Sequence, residues 1–266
     1  LDPFGFIAAA LFYLFPWTSH LCNRHYVEPG MIFFGLLAVG AFIDWLDSPR
    51  PGCAVLAGIF AGLCAGCKYP GILFLVLPMA AAFLLAGFQQ RKWRRALVHT
   101  ALFGAITLGV LAPWLLRNAI ATGNPTYPLL YGVFGGSNWS DYQDAKWRNA
   151  HMPKDFGFES FVSSVRRFLR EPEVAVQSGS GSPQKRSSSV IWLPVLFGVA
   201  FLPPRSRRGW LLVGYALLCL VLWYFTTHRI ARFLAPWCML LLAPVAVSAA
   251  RGIAWARIPG FILVCV

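Results

Sequence analysis

Acidic side chains are scarce in this sequence, ten Asp plus Glu against 23 Lys plus Arg among 266 residues, which leaves a formal charge of +13. Charged residues of every kind make up 12%, about half the share of a soluble domain, while apolar residues reach 58%. A chain so poor in charge does not fold as an ordinary soluble domain. The 15% of aromatic residues excludes a disordered chain. The seven cysteines are odd in number and set no disulfide framework. All but Cys22 lie in or beside apolar runs, where cysteine acts as a small hydrophobe. Cys64 and Cys67 form a C-x-x-C that lacks both the strand-helix-strand context of a redox motif and the second pair of a zinc site. No initiator methionine stands at Leu1 and no basic stretch precedes the first apolar run, so no cleavable signal peptide is visible. The chain stops at Val266 within an apolar run begun at Ile258, and both ends are expected to be cut. No internal repeat is evident.

An excess of positive charge admits nucleic acid, anionic lipid or a phosphorylated ligand, and its placement separates them. Asp, Glu, Lys and Arg are absent from 3 to 23, 29 to 43, 51 to 67, 69 to 90, 96 to 116, 187 to 204, 209 to 228 and 233 to 250. A helix crosses about 30 Å of hydrocarbon with roughly 20 mostly apolar residues. The expected fold class is therefore all-α, a polytopic transmembrane helical bundle of about eight spans plus a truncated ninth, with a long extracytoplasmic loop. Residues 1–116 carry five spans, 117–189 form the loop, and 190–266 carry the remaining spans.

The short loops fix an expected orientation. With 51 to 67 and 71 to 87 taken as two spans joined at Lys68, Tyr69 and Pro70, ten basic residues fall in four short loops on one face, Arg50, Arg91, Lys92, Arg94, Arg95, Arg205, Arg207, Arg208, Arg251 and Arg257. The positive-inside rule assigns that face to the cytoplasm. One interrupted span over 51 to 87 is the rival reading, but it strands a lysine inside the bilayer at roughly 2.5 to 3.5 kcal/mol or more. Gly58, Gly62 and Gly66, with Ala54, Ala61 and Ala65, give the first of the two helices a face for close packing.

The segment 117–189 is too long for an idle connection and too polar to span. Phe158, Phe161, Val162, Val165, Phe168 and Leu169 recur at helical spacing, with Arg166, Arg167 and Arg170 on other faces, which predicts an amphipathic helix in the membrane surface that ends at Pro172. The Ser- and Gly-rich run from Ser178 to Ser189 reads as flexible.

Four polar clusters fall on the face opposite the basic loops. The first is His20, Asn23, Arg24, His25, Tyr26 and Glu28, with Glu28 and Pro29 opening a helix where the dipole favours a carboxylate. The second is Lys68-Tyr69-Pro70, where a cation at the membrane interface either snorkels or meets an anion such as a lipid phosphate. The third is Arg117-Asn118 with Thr122-Gly123-Asn124-Pro125-Thr126-Tyr127-Pro128, a tight non-helical path beside a guanidinium whose fork suits phosphate. The fourth is His228-Arg229-Ile230-Ala231-Arg232-Phe233, two arginines opening directly into a span, against the usual bias for that face. Their convergence points to a phosphate-bearing lipid ligand, with no nucleic acid. The sequon Asn138-Trp139-Ser140 carries little information.

The order of these motifs resembles a known family. Tyr26-Val27-Glu28-Pro29, the Gly/Ala-rich run into Lys68-Tyr69-Pro70, Pro113-Trp114-Leu115-Leu116-Arg117-Asn118 with Thr122-Gly123-Asn124-Pro125-Thr126-Tyr127-Pro128, and Arg232-Phe233-Leu234-Ala235-Pro236 look like the type-C membrane glycosyltransferases. Within these, the closest match is the bacterial group related to protein O-mannosyltransferases and aminoarabinose transferases. The resemblance covers most of residues 3 to 250.

The resemblance implies transfer of a sugar from a polyprenyl-phosphate donor to an extracytoplasmic lipid, glycan or protein acceptor, with inversion, in the bacterial inner membrane. It assigns Glu28 to catalysis and makes it the candidate ligand of a divalent metal ion, the implied cofactor. It assigns Lys68, Arg232 and Arg117 to the donor phosphate. His25, Tyr69, Asn124, Tyr127, His228 and Arg229 are the further candidate substrate contacts. The family's leading catalytic aspartate lies upstream of the segment matching residues 3 to 28 and has no counterpart here. A first helical hairpin carrying it is expected before Leu1, and residues 1–266 alone are expected to be inactive. The competing expectation is a transporter or flippase of a lipid-linked or anionic solute, for which paired interrupted helices are the usual sign.

Overall fold

In the computed structural model the described residues are 21–22, 26–170, 174–176, 184–186 and 207–238. The charge-free windows within them become helices. Helix α1 spans Glu28–Asp47, α2 Pro51–Cys67, a π-helical turn Ile72–Val76 leads into α3, Leu77–Gln89, and α4 runs over Trp93–Thr122. The combined stretch Ile72–Gln89, with α1 and α4, gives three helices long and apolar enough to cross a membrane. At 1.5 Å per residue, α2 with 17 residues reaches only about 25 Å. The remaining helices are α5, Tyr131–Phe134, α6, Asp141–His151, α7, Phe158–Arg170, α8, Arg207–Thr226, and α9, Ala231–Cys238. Most of the expected spans at 3 to 23 and 233 to 250, all of that at 187 to 204, and the run from Ile258 lie outside the described residues.

Prolines explain the irregular turns. Pro78 has no N–H for the carbonyl of Phe74, and its ring would clash there, so the preceding turn widens and the Leu77 N–H donates to the Ile72 carbonyl instead. Pro113 lies inside α4, where the residue one turn earlier is Gly109, with open space at its Cβ position.

The chain divides into two units, Gly30–Met152 and, from the flanks, Leu1–Pro29 with Pro153–Val266. In the first, contacts set the direction of each helix. Cys64 Sγ lies 3.4 Å from the Met31 carbonyl, so the end of α2 meets the start of α1. Phe83 packs on Phe103 at 5.3 Å, and Gly87 is beside Ala96, so α3 runs against α4. Gly58 faces Phe103 and Ile106 while Gly62 faces Thr107 and Val110, so α2 and α4 run the same way. Lys68–Pro70 therefore joins two separate, antiparallel helices, as the two-span reading expects. Two of the three glycines form the close face as expected: a Cβ at Gly58 would stand 2.8 Å from the Phe103 carbonyl oxygen and one at Gly62 2.7 Å from Val110 Cβ, whereas Gly66 is exposed.

Aromatic side chains close the opposite end of this unit. Buried Trp45 packs edge-on against Phe83 at 4.7 Å and donates its indole N–H to His99 Nδ1 at 2.7 Å. Leu36, Leu56, Leu85, Leu108 and Ile120 stay exposed on the outer faces, a pattern suited to an apolar solvent.

From 117 to 170 the long segment is more regular than its composition suggests. Residues 117–122 are still α4, because the helix runs on to Gly123, whose left-handed φ of 77° caps it. Helix α6 was not foreseen. It is capped by Ser140, which accepts from the Gln143 N–H while the Gln143 side chain accepts from the Ser140 N–H. The packing boundary falls at Met152–Pro153, inside the expected loop domain, because 117–152 follow α4 and 153–170 pack with α8.

In the second unit the foreseen amphipathic helix is α7. Part of its apolar face meets protein: Phe161 packs on Tyr224 at 5.2 Å and Phe168 on Trp223 at 6.0 Å, while Phe158 stays exposed. Val174–Val176 pairs antiparallel with Gln184–Arg186 beside otherwise helical elements, and the rest of the run read as flexible at Ser178–Ser189 lies outside the described residues. Val174 and Val176 are β-branched and favour that pairing.

Candidate functional site

Each unit brings two of the four polar clusters together. In Gly30–Met152 the pair is the Lys68 turn and the end of α4. Lys68 ends α2 with extended backbone, and the Tyr69 hydroxyl accepts hydrogen bonds from Trp114 Nε1 at 3.1 Å and Asn118 Nδ2 at 3.0 Å. Tyr69 and Asn118 are 49 positions apart and meet because α2 and α4 run in the same direction. Arg117, exposed on the last turns of α4, lays its guanidinium 5.2 Å from the Trp114 ring. Lys68 and Arg117 thus stand at one end of these helices, and Arg50 and Arg91–Arg95 lie at the other.

The turn after α4 is held from within. Asn124 is fully buried; its amide donates to the carbonyls of Leu129, at 2.8 Å, and Gly135, at 3.1 Å. Its Oδ1 accepts from the Thr126 N–H at 2.8 Å and the Thr126 hydroxyl at 3.0 Å. All four of its hydrogen-bonding positions are used, so Asn124 organises the loop and offers nothing to a substrate. Tyr127 donates its hydroxyl to the Asn138 carbonyl at 3.3 Å and packs edge-on against Trp139.

In the flanking unit the first and fourth clusters meet. The Arg232 guanidinium lies 5.1 Å from the ring of Tyr26, two residues before Glu28, and 5.6 Å from its neighbour Phe233. Glu28 is 1% exposed at the first position of α1. The His228 ring packs edge-on against Phe233 at 5.1 Å. His25, with Asn23 and Arg24, lies outside the described residues.

Arg229 takes a structural part that the sequence did not signal. Its φ of 59° is left-handed, a conformation an L residue keeps only where its surroundings hold it. Its Nε donates to the Tyr224 carbonyl at 3.1 Å, and Nη1 donates to Asp155 Oδ1 at 2.7 Å and Ser160 Oγ at 2.6 Å. Nη2 donates to the Asp155 carbonyl, and the group lies 4.1 Å from the Tyr224 ring. The guanidinium clasps the 155–160 stretch to the end of α8. The hydroxyl of Ser160 and the Arg229 guanidinium hold the Asp155 carboxyl below its usual range. Seventy-four positions separate Asp155 from Arg229, and no local pattern links them.

No family model, curated protein or solved structure matches this chain. The site rests on its own geometry. Glu28 is an acidic residue in the right chemical class for a divalent ion, but among the described residues no group of three or more His, Cys, Asp or Glu gathers around it or elsewhere.

Proposed function

We propose that the chain is a multi-pass membrane glycosyltransferase that moves a sugar from a polyprenyl-phosphate donor to an extracytoplasmic lipid, glycan or protein acceptor. The proposed setting is the bacterial inner membrane, with the active face outward. The observation that carries this reading is the Tyr69 hydroxyl held between Trp114 and Asn118, which sets Lys68 and Arg117 at a common end of two apolar helices. Two cations at the end of a membrane-spanning bundle suit a ligand with an apolar tail and a phosphate head.

In the proposed reaction the acceptor hydroxyl attacks the anomeric carbon of the sugar while Glu28 takes its proton. The bond from that carbon to the phosphate oxygen breaks, its electron pair leaves with the phosphate, and the configuration inverts. By the family resemblance, cations stabilise the charge on the departing polyprenyl phosphate, a part assigned to Lys68 with Arg117 in one unit and to Arg232 in the other. Tyr26 orients Arg232, and Asn118 and Trp114 orient Tyr69. Asn124 and Arg229 are assigned to holding their loops.

Transfer of radiolabel from a polyprenyl-phosphate sugar by the full-length gene product in membranes tests the reading. Lys68→Ala should weaken donor binding at unchanged protein level, and Glu28→Gln should lower turnover more than folding. Solute movement without sugar transfer, or wild-type kinetics in both variants, would overturn it.

A further inference from the structure

The end of the first unit opposite Lys68 carries a second concentration of charge. Arg91, Lys92, Arg94 and Arg95 fall within five residues at the turn between α3 and α4, and all four are exposed. The turn is tight. A Cβ at Gly87 would stand 2.0 Å from Ala96 Cβ, so the two helices touch and the cations are forced outward. Arg91 itself has a left-handed φ of 54°. No ion pair joins these four residues to a carboxylate among the described residues. With Arg50 they oppose Asp44 and Asp47 at the end of α1, which leaves this end net positive.

The surroundings are apolar. Phe88 is 67% and Val98 64% exposed on the helices beside the turn, and Trp93, half exposed, carries the Arg94 guanidinium 5.3 Å from its ring. Lys92 and Arg95 line a shallow surface depression together with Trp45, Pro49, Gln90 and Ala96. Cations with no ion pair among the described residues, above an apolar collar and at the ends of two helices long enough to span, match the boundary between phosphate headgroups and acyl chains.

We propose that the 91–95 turn is a binding site for the headgroup phosphate of an anionic bilayer phospholipid. Lys92 and Arg95 take the phosphate over the depression, Arg91 and Arg94 add the surrounding field, and Trp93 and Phe88 sit in the interface below. This site is separate from the sugar-transfer site, and its readout is lipid retention rather than activity.

The full chain, purified in a neutral detergent, is titrated with phosphatidylglycerol and with phosphatidylcholine of the same acyl chains, and bound lipids are counted by native mass spectrometry. Each cation near an anionic surface strengthens binding about 5-fold. Wild type should therefore prefer phosphatidylglycerol by at least about 10-fold, and added NaCl should erode the preference. Arg94→Gln with Arg95→Gln should remove most of it, while Lys146→Gln with Lys154→Gln, an equal loss of charge elsewhere, should leave it intact. Equal retention of the two lipids, an equal loss in the control pair, or displacement by millimolar inorganic phosphate would overturn the proposal. Should the Arg94/Arg95 pair fail to fold, a wild-type preference indifferent to salt would overturn it as well.

Discussion

The approach of α2 to α4 makes one substitution pair decisive. A Cβ added at Gly62 would lie 2.7 Å from Val110 Cβ and 2.9 Å from the Thr107 carbonyl oxygen. Neither atom is the end of a flexible side chain, so the helices must separate. Four residues on, a Cβ at Gly66 would meet, among the described residues, only Leu111 Cδ1 at 4.0 Å, an ordinary contact. Both Gly→Ala changes gain the same helix propensity, about 1 kcal/mol. That gain cancels in the comparison, which isolates overpacking at about 1–3 kcal/mol. Separation would also strain the Thr107 hydroxyl bond to the Gly58 carbonyl, 3.2 Å long. At about 2–4 °C per kcal/mol for a chain of this size, Gly62→Ala should melt roughly 2–12 °C below Gly66→Ala in the same detergent. Gly66→Ala should match or exceed wild type. Equal melting of the two variants would refute the close approach as the determinant of packing here.

Other substitutions test the polar elements. Asn124→Ala removes four hydrogen bonds from a buried position, a local loss on the order of 2–4 kcal/mol, and should open new protease cleavage within 123–138 while helix content holds. A wild-type digestion pattern would show that the loop does not depend on it. The Asp155 carboxyl is lowered by Ser160 and Arg229, so its contribution is present above the ordinary carboxylate value, about 3.9, and is lost as pH falls through the lower folded value. Amide exchange over 156–160, corrected for intrinsic rate, should therefore accelerate only below about pH 4. Asp155→Asn should abolish that step; a step that persists would assign it to another group.

Much of this fold is legible one segment at a time. The charge-free window 51–67 became α2 with the same bounds, because Pro51 opens the helix and the Lys68-Tyr69-Pro70 turn closes it. Helix α7 followed from apolar residues at a period of 3.6. Helix α6 lacks an apolar stripe, so periodicity passed over it, although Ser140 and Gln143 spell a capping box three residues apart. The β pairing at Val174–Arg186 was hidden by the Ser and Gly between its strands.

For the candidate site the division is sharper. The sequence names Glu28, Lys68, Arg117 and Arg232, because a charge beside a long apolar run is conspicuous wherever it stands. It also marks the Gly/Ala face of α2, since small residues recurring every fourth position have a local period. Tertiary structure alone decided which of these polar residues meet. Tyr69 bonds to Asn118 because two distant helices run in parallel, and Arg229 is spent on Asp155 across 74 positions, whereas Arg232 two residues later rests on Tyr26. Neighbouring arginines with the same local sequence signal thus acquire different work. Local pattern fixes where a charge enters the membrane boundary, but the partner it finds depends on helix direction and loop closure, which no window of adjacent residues contains.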